Sequence, residues 1–228
     1  MRVLDLFSGL GGWAKPFRDR GHDVVTLDDD PRFGCDLTID VRRFAKDPRT
    51  FLPGRRWRPD LVVASPPCEK FSTLSFQRGY FALDEAGDPH PATLEAWDAI
   101  ELVHATWDVV ESLTPRWYVI ENPRALLRQV MPFTEPPDHE RRTVWYCHLG
   151  AKVAKPTDLW GRFPSTLVLP GPCHNRRPSH DVECCCTDHN AAPRGSRTGT
   201  QGPDSAAVRA KVPYRLGEML SLACEVEL

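Results

Sequence analysis

Over the first 123 residues, short apolar runs that end abruptly in glycine, proline or aspartate alternate with longer stretches whose apolar positions recur at helical spacing. Residues 2 to 7 are such a run and end in Ser8-Gly9-Leu10-Gly11-Gly12, with a helix-compatible stretch from Trp13 to Arg20 behind them. Gly21-His22-Asp23 breaks that helix, and Val24-Val25-Thr26-Leu27 reads as a second strand with three aspartates at its end. A third short strand is expected near Leu37 to Val41. Residues 53 to 59 form a connection, after which Asp60-Leu61-Val62-Val63-Ala64 is a fully buried strand running into Ser65-Pro66-Pro67-Cys68. Residues 92 to 113 place Leu94, Trp97, Ile100, Leu102 and Val109 at helical spacing. Trp117 to Ile120 makes another buried strand, closed by Glu121-Asn122-Pro123. Strands alternating with helices predict an α/β fold, a mostly parallel sheet with helices on both faces.

The last third has a different texture. Thr143 to Leu149 and Ser165 to Leu169 read as strands, but residues 170 to 207 are rich in Pro, Cys, His, Arg and Gly and show no periodicity. A closing amphipathic helix is expected over Tyr214 to Val226, with Leu216, Met219, Leu220 and Ala223 on one face. The predicted organisation is a core over 1–150, a small irregular region over 151–207, and a C-terminal helix within 208–228 that packs back on the core.

The chain has 228 residues, 41% hydrophobic and 26% charged, enough apolar material for one sizeable core. A formal net charge of -2 argues against coating nucleic acid by bulk charge, so any nucleic-acid site must be a local patch. Residues 193 to 215 hold such a patch: Arg194, Arg197, Arg209, Lys211 and Arg215 against Asp204. No apolar run approaches the roughly 18 to 20 residues of a membrane span, and no charged leader with an apolar stretch precedes the first strand. A soluble, cytoplasmic protein with no obligate protein partner is expected. Of the eight cysteines, three are adjacent, which reads as reduced thiols rather than a disulfide scaffold. Cys173, Cys184, Cys186 and His189 are candidate ligands of a structural zinc, with unligated surface thiols as the other reading.

In open α/β sheets, ligands bind beyond the carboxyl ends of the strands, so the residues that follow each strand carry the chemistry. Four clusters lie there. The glycine loop Phe7 to Gly12 lets backbone approach a ligand closely, although an ordinary strand-helix turn accounts for it equally well. Asp28 shifts that balance, because a carboxylate at the end of the second strand can accept hydrogen bonds from both ribose hydroxyls of a nucleoside. Pro66-Pro67-Cys68 presents a thiol at the ligand edge, where a structural cysteine would be the plainer reading. Glu121-Asn122-Pro123 places a carboxylate after the neighbouring strand, and Arg141-Arg142-Thr143 precedes a strand that contains Tyr146.

In this order the four clusters resemble the Phe-x-Gly-x-Gly, Pro-Cys, Glu-Asn and arginine motifs of the DNA cytosine-5 methyltransferases. Lys155 to Trp160 and Ala192 to Gly202 look like the compact phage-encoded branch of that family. The resemblance implies a Rossmann-like, S-adenosylmethionine-dependent methyltransferase fold with a small irregular C-terminal target-recognition region. It implies duplex DNA as partner, a short recognition sequence, and protection from restriction as a purpose. By the same resemblance Cys68 attacks carbon 6 of a cytosine flipped out of the duplex, Glu121 holds the ring and supplies a proton, and Arg141 stabilises the attack. Thr143 stands where the family carries its second arginine. Phe7, Gly9, Gly11, Asp28, Asp40, Val41 and Pro67 are the implied cofactor contacts, and Arg142, Arg194 and Arg197 the implied DNA contacts. The family's C-terminal Asn-containing cofactor motif is not visible, and Val212-Pro213-Tyr214-Arg215-Leu216 occupies its region. Three alternatives stay open: the same chemistry on RNA, a catalytically silent DNA-binding homologue, and transfer of a larger one-carbon or carboxymethyl group from a modified donor.

Overall fold

The computed structural model describes residues 1–54, 56–72, 74–130, 139–151, 155–173, 208 and 210–228. Nine strands are described: β1 (Arg2–Leu6), β2 (Asp23–Asp28), β3 (Leu37–Thr38), β4 (Leu61–Ala64), β5 (Phe81–Leu83), β6 (Pro89–Pro91), β7 (Trp117–Pro123), β8 (Glu140–Trp145) and β9 (Pro156–Arg162). The helices are α1 (Ala14–Asp19), α2 (Val41–Lys46), α3 (Pro48–Phe51), α4 (Leu94–Leu113), α5 (Leu127–Val130) and α6 (Tyr214–Glu227). Seven strands form one sheet in the order β3-β2-β1-β4-β7-β9-β8, and β5 and β6 form a separate antiparallel pair. β3, β2, β1, β4 and β7 are parallel, and β9 is antiparallel to both β7 and β8. The mostly parallel sheet is therefore as expected, with β9 as its reversed strand among the described residues.

The buried runs alternate between two cores because successive strand side chains point to opposite faces. Leu4, Leu6, Val62, Ala64 and Ile120 enter one core, with α2, α3 and α4 over it. Val3, Leu61, Val63 and Val119 enter the other, where Trp13, Phe17, Leu216 and Leu220 bring in α1 and α6. A strand buried on both faces needs no polar alternation, which is why β1, β4 and β7 read as continuous apolar runs.

Four expectations need correcting. Leu94 and Trp97 are 84% and 53% exposed, and α4 buries Ala96, Ala99, Ile100, Val103, Val109 and Val110 instead. Small residues let the helix lie close to the sheet, so the bulky apolar positions of its first turn fall on the far side. The strand expected over 143–149 ends at Trp145, and Tyr146–Leu149 is a 3-10 turn closed by Gly150 in the left-handed region. Residues 165–169 form no strand. β9 was not anticipated, because Thr157, Asp158 and Gly161 interrupt its apolar pattern; it inserts between β7 and β8 and carries the sheet past residue 150.

Candidate active site

A cavity of about 360 Å³ opens at the carboxyl ends of β1, β2, β4 and β7. Phe7, Gly9, Asp28, Pro67, Cys68 and Glu121 all line it, so the ends of four strands and three of the four sequence clusters share one space, the arginine cluster lying outside it. Phe7 and Gly9 both have positive φ (57° and 49°), and the loop they form is tied down from two sides. Gly9 N donates to Asp28 Oδ2 at 2.9 Å, and Asp30 N donates to Asp28 Oδ1 at 3.0 Å. Asp28 is thereby a brace for the glycine loop, and each oxygen keeps a second lone pair for a ligand hydroxyl. Burial raises its carboxyl above the ordinary value, with the two backbone donors opposing. Beneath the loop, fully buried Asp5 accepts from Ser8 Oγ (2.7 Å) and Ala14 N (3.1 Å), both at Oδ2. Its Oδ1 has no partner among the described residues, and burial pushes its pKa to about 7.

The thiol loop is clamped between two side chains. Trp13 Nε1 donates to Ser65 Oγ at 3.0 Å, and Asn122 Nδ2 donates to Pro66 O at 3.0 Å. With the two prolines fixing φ, Cys68 is held at the start of the 3-10 turn Glu69–Phe71, half-buried and facing the cavity. Burial pushes the Cys68 thiol up; the positive charge of Lys155 opposes this and the negative charge of Glu121 adds to it.

Glu121 is 3% exposed and accepts a 2.8 Å hydrogen bond from Tyr146 Oη at Oε1. Lys155 Nζ lies 3.7 Å from the same oxygen and 4.7 Å from the Tyr146 ring centroid. Burial raises the Tyr146 hydroxyl well above its ordinary value, as does the adjacent carboxylate, so it stays a donor. Cys68, Glu121 and Lys155 thus line the cavity together, with Tyr146 bonded to Glu121 behind them.

Other expected residues are placed elsewhere. Gly11, also at positive φ, lines an adjoining depression with Lys15 and Arg18. Asp40 caps α2, accepting from Arg42 N at 2.7 Å and pairing with the Arg42 guanidinium, and Val41 is buried in that helix; neither lines the cavity. Arg141 is exposed, paired in register with Trp160. Arg142 donates to Glu140 (2.9 Å) and to Leu167 O (3.0 Å) and stacks over Phe163. Thr143, at the family's second arginine position, donates to Asp158 Oδ1 at 2.7 Å, and Arg128 grips the same fully buried carboxylate through both of its oxygens. Cys173 is buried away from the cavity. Arg194, Arg197, Cys184, Cys186 and His189 lie outside the described residues.

No role in this cavity was read from the sequence for five contributors: Trp13, Asn122, Tyr146, Lys155 and the segment 210–212. Ala210, Lys211 and Val212 close the cavity over the glycine loop. A Cβ on Gly12 would sit 2.7 Å from Val212 N and 2.8 Å from Val212 O, so that position admits no side chain. Val212 therefore lies where the missing C-terminal motif would be sought, and it contributes backbone rather than an amide side chain.

No family model matches this sequence, and no curated protein matches it. Among solved structures, it superposes on a protein described as a DNA modification methyltransferase encoded within an E. coli prophage, with a TM-score of 0.50 and 19% identity over 71% of this chain and 46% of that one. The fold is a Rossmann-like methyltransferase fold. Entamoeba histolytica methyltransferase EhMeth (TM-score 0.49, 14% identity, 74% of this chain and 56% of that one) and S. pombe Dnmt2 methyltransferase (0.43, 15%, 71% and 50%) are further matches. The chain spans about half the length of each of these structures. Within this methyltransferase fold the cavity sits at the ligand edge of the sheet, where the donors and acceptors fit a nucleoside carrying a short charged tail. Phe7 offers a ring, Asp28 offers acceptors, and the positive-φ backbone at Gly9 gives close approach.

Proposed function

We propose that the chain transfers a methyl group from S-adenosylmethionine to carbon 5 of cytosine in duplex DNA, in the cytoplasm, with Cys68 as nucleophile. The observation that carries this reading is the sharing of one cavity by a clamped thiol, a buried carboxylate and a glycine-carboxylate nucleoside site. S-adenosylmethionine, held by Phe7, Gly9, Asp28 and Pro67, supplies an electrophilic methyl group. Carbon 5 of cytosine is a weak nucleophile until the ring is converted to an enamine, and covalent attack at carbon 6 does that. The Cys68 sulfur forms the bond to carbon 6 while a proton passes from Glu121 to ring nitrogen 3. Tyr146 and Lys155 both engage Glu121 Oε1, which leaves Oε2 for the base. Lys155 supplies the positive charge that favours thiolate over thiol in a site whose burial disfavours it. After transfer, the carbon 5 proton passes to a base such as water as the sulfur leaves carbon 6, and the nitrogen 3 proton returns to Glu121, which restores the aromatic ring. Exposed Arg141 is suited to a DNA phosphate, in a supporting rather than a base-contacting position. Residues 1–150 supply most of the catalytic core, 151–207 the DNA-contact region with Arg194 and Arg197 as phosphate ligands, and 208–228 the closing segment; β9 belongs to the sheet.

Duplex DNA carrying 5-fluorocytosine tests the proposal, because fluorine cannot leave carbon 5 as a proton does. Intact mass after incubation with S-adenosylmethionine is expected to show a protein-DNA adduct carrying one added methyl, absent in Cys68→Ser. Adduct on 5-fluorocytosine RNA alone, or none on either nucleic acid while the cofactor still binds, would overturn it.

A further inference from the structure

Cys173 lies beside Cys147 and His148, none of which lines the cavity. The fold brings these three together from before and after β9, and their ligating atoms all lie within 4.8 Å of one another. Cys147 and Cys173 are 8% and 6% exposed and form a small cluster with Trp145, and His148 is half-buried. The 3-10 turn Tyr146–Leu149, ended by Gly150 at φ 88°, sets Cys147 and His148 side by side.

We propose that Cys147, His148 and Cys173 hold a zinc ion. Two thiols and an imidazole are soft and borderline donors, with no carboxylate among them, which disfavours calcium or magnesium and suits zinc. Zinc bonds of about 2.3 Å to sulfur and about 2.0 Å to nitrogen put tetrahedral ligand atoms roughly 3.5–3.8 Å apart, so small side-chain rotations close the present group onto an ion. The fourth position is left to a further donor. Binding displaces the two thiol protons to solvent, and no electron is transferred. The ion would fasten the chain at Cys173 to the turn that begins with Tyr146, the residue that holds Glu121. A structural ion there would stabilise the acid's partner without touching substrate, so the inference stands whether or not the proposed reaction does.

The test uses the full chain, purified under reducing conditions without chelator, with neither DNA nor cofactor. Elemental analysis is expected to find about one zinc per chain. Replacement by Co2+ is expected to give the near-ultraviolet absorption of thiolate-to-cobalt charge transfer. Cys147→Ser and Cys173→Ser should lose both signals, while Cys35→Ser, which alters a thiol elsewhere, should retain them. Should the serine variants fail to fold, His148→Ala removes a half-buried ligand and is expected to weaken zinc affinity by about tenfold or more. Protein that neither holds zinc nor gives the cobalt band, unchanged stoichiometry in Cys147→Ser, or a Cys147–Cys173 disulfide found by mass without reduction would each overturn the proposal.

Discussion

A thiol buried beside a carboxylate is a poor nucleophile unless a cation is near, and that balance is decided by single residues. Burial and Glu121 both raise the Cys68 thiol, and the positive charge of Lys155 lowers it. Replacing Lys155 by Met should move the alkylation midpoint of Cys68 upward. The measurement is the rate of iodoacetamide labelling of the Cys68 peptide against pH; an unchanged midpoint would remove Lys155 from the site's electrostatics. Cys68 and Glu121 were legible in the sequence because each directly follows or ends an apolar run. The roles of Lys155 and Tyr146 were not: neither the Lys155 to Trp160 segment nor the strand expected to contain Tyr146 points to Glu121, and only the placement of β9 beside β7 and the turn after β8 brings them there.

Between elements, the glycine loop and the 210–212 segment meet at a contact with no room in it. The Val212 backbone would lie under 3 Å from any Cβ at position 12. Gly12→Ala should cost about 1–3 kcal/mol in urea unfolding, as overpacking does, and should weaken S-adenosylhomocysteine binding in calorimetry, since the displaced segment closes the cavity. A variant with wild-type stability and affinity would show that the segment does not form that wall. Flexible glycines were expected here from the Ser8 to Gly12 loop, but spacing could not distinguish the one that serves close approach from those at positive φ. That distinction depends on a contact between two loops two hundred residues apart in the chain.

At the scale of the whole molecule, pH acts on stability through Asp5, fully buried between the sheet and the glycine loop. Its folded pKa of about 7 exceeds the value of about 3.9 expected in the unfolded chain. The folded state therefore holds a proton that the unfolded state has released across that window. This group's contribution is full below about pH 4, falls as pH rises, and is lost above about pH 7, a change of a few kcal/mol at most. Asp5→Asn should flatten the decline between about pH 4 and pH 7 in urea unfolding. A wild-type decline that persists undiminished in Asp5→Asn would assign it to other groups.

The sequence by itself determined the alternation of buried strands and helices, the parallel character of the sheet, and the thiol, carboxylate and glycine positions at its ligand edge. These are local facts: a strand buried on both faces must be apolar throughout, and the residue after it is placed by the strand itself. The tertiary structure alone decided that α4 buries its alanines rather than Leu94 and Trp97, that β9 reverses into the sheet, and that Arg141 stays in solvent while Lys155 approaches Glu121. It likewise decided that Cys147 and His148 meet Cys173. Each of these depends on which faces come together across long loops, and burial energy summed over a whole interface selects that pairing where no single stretch of sequence encodes it.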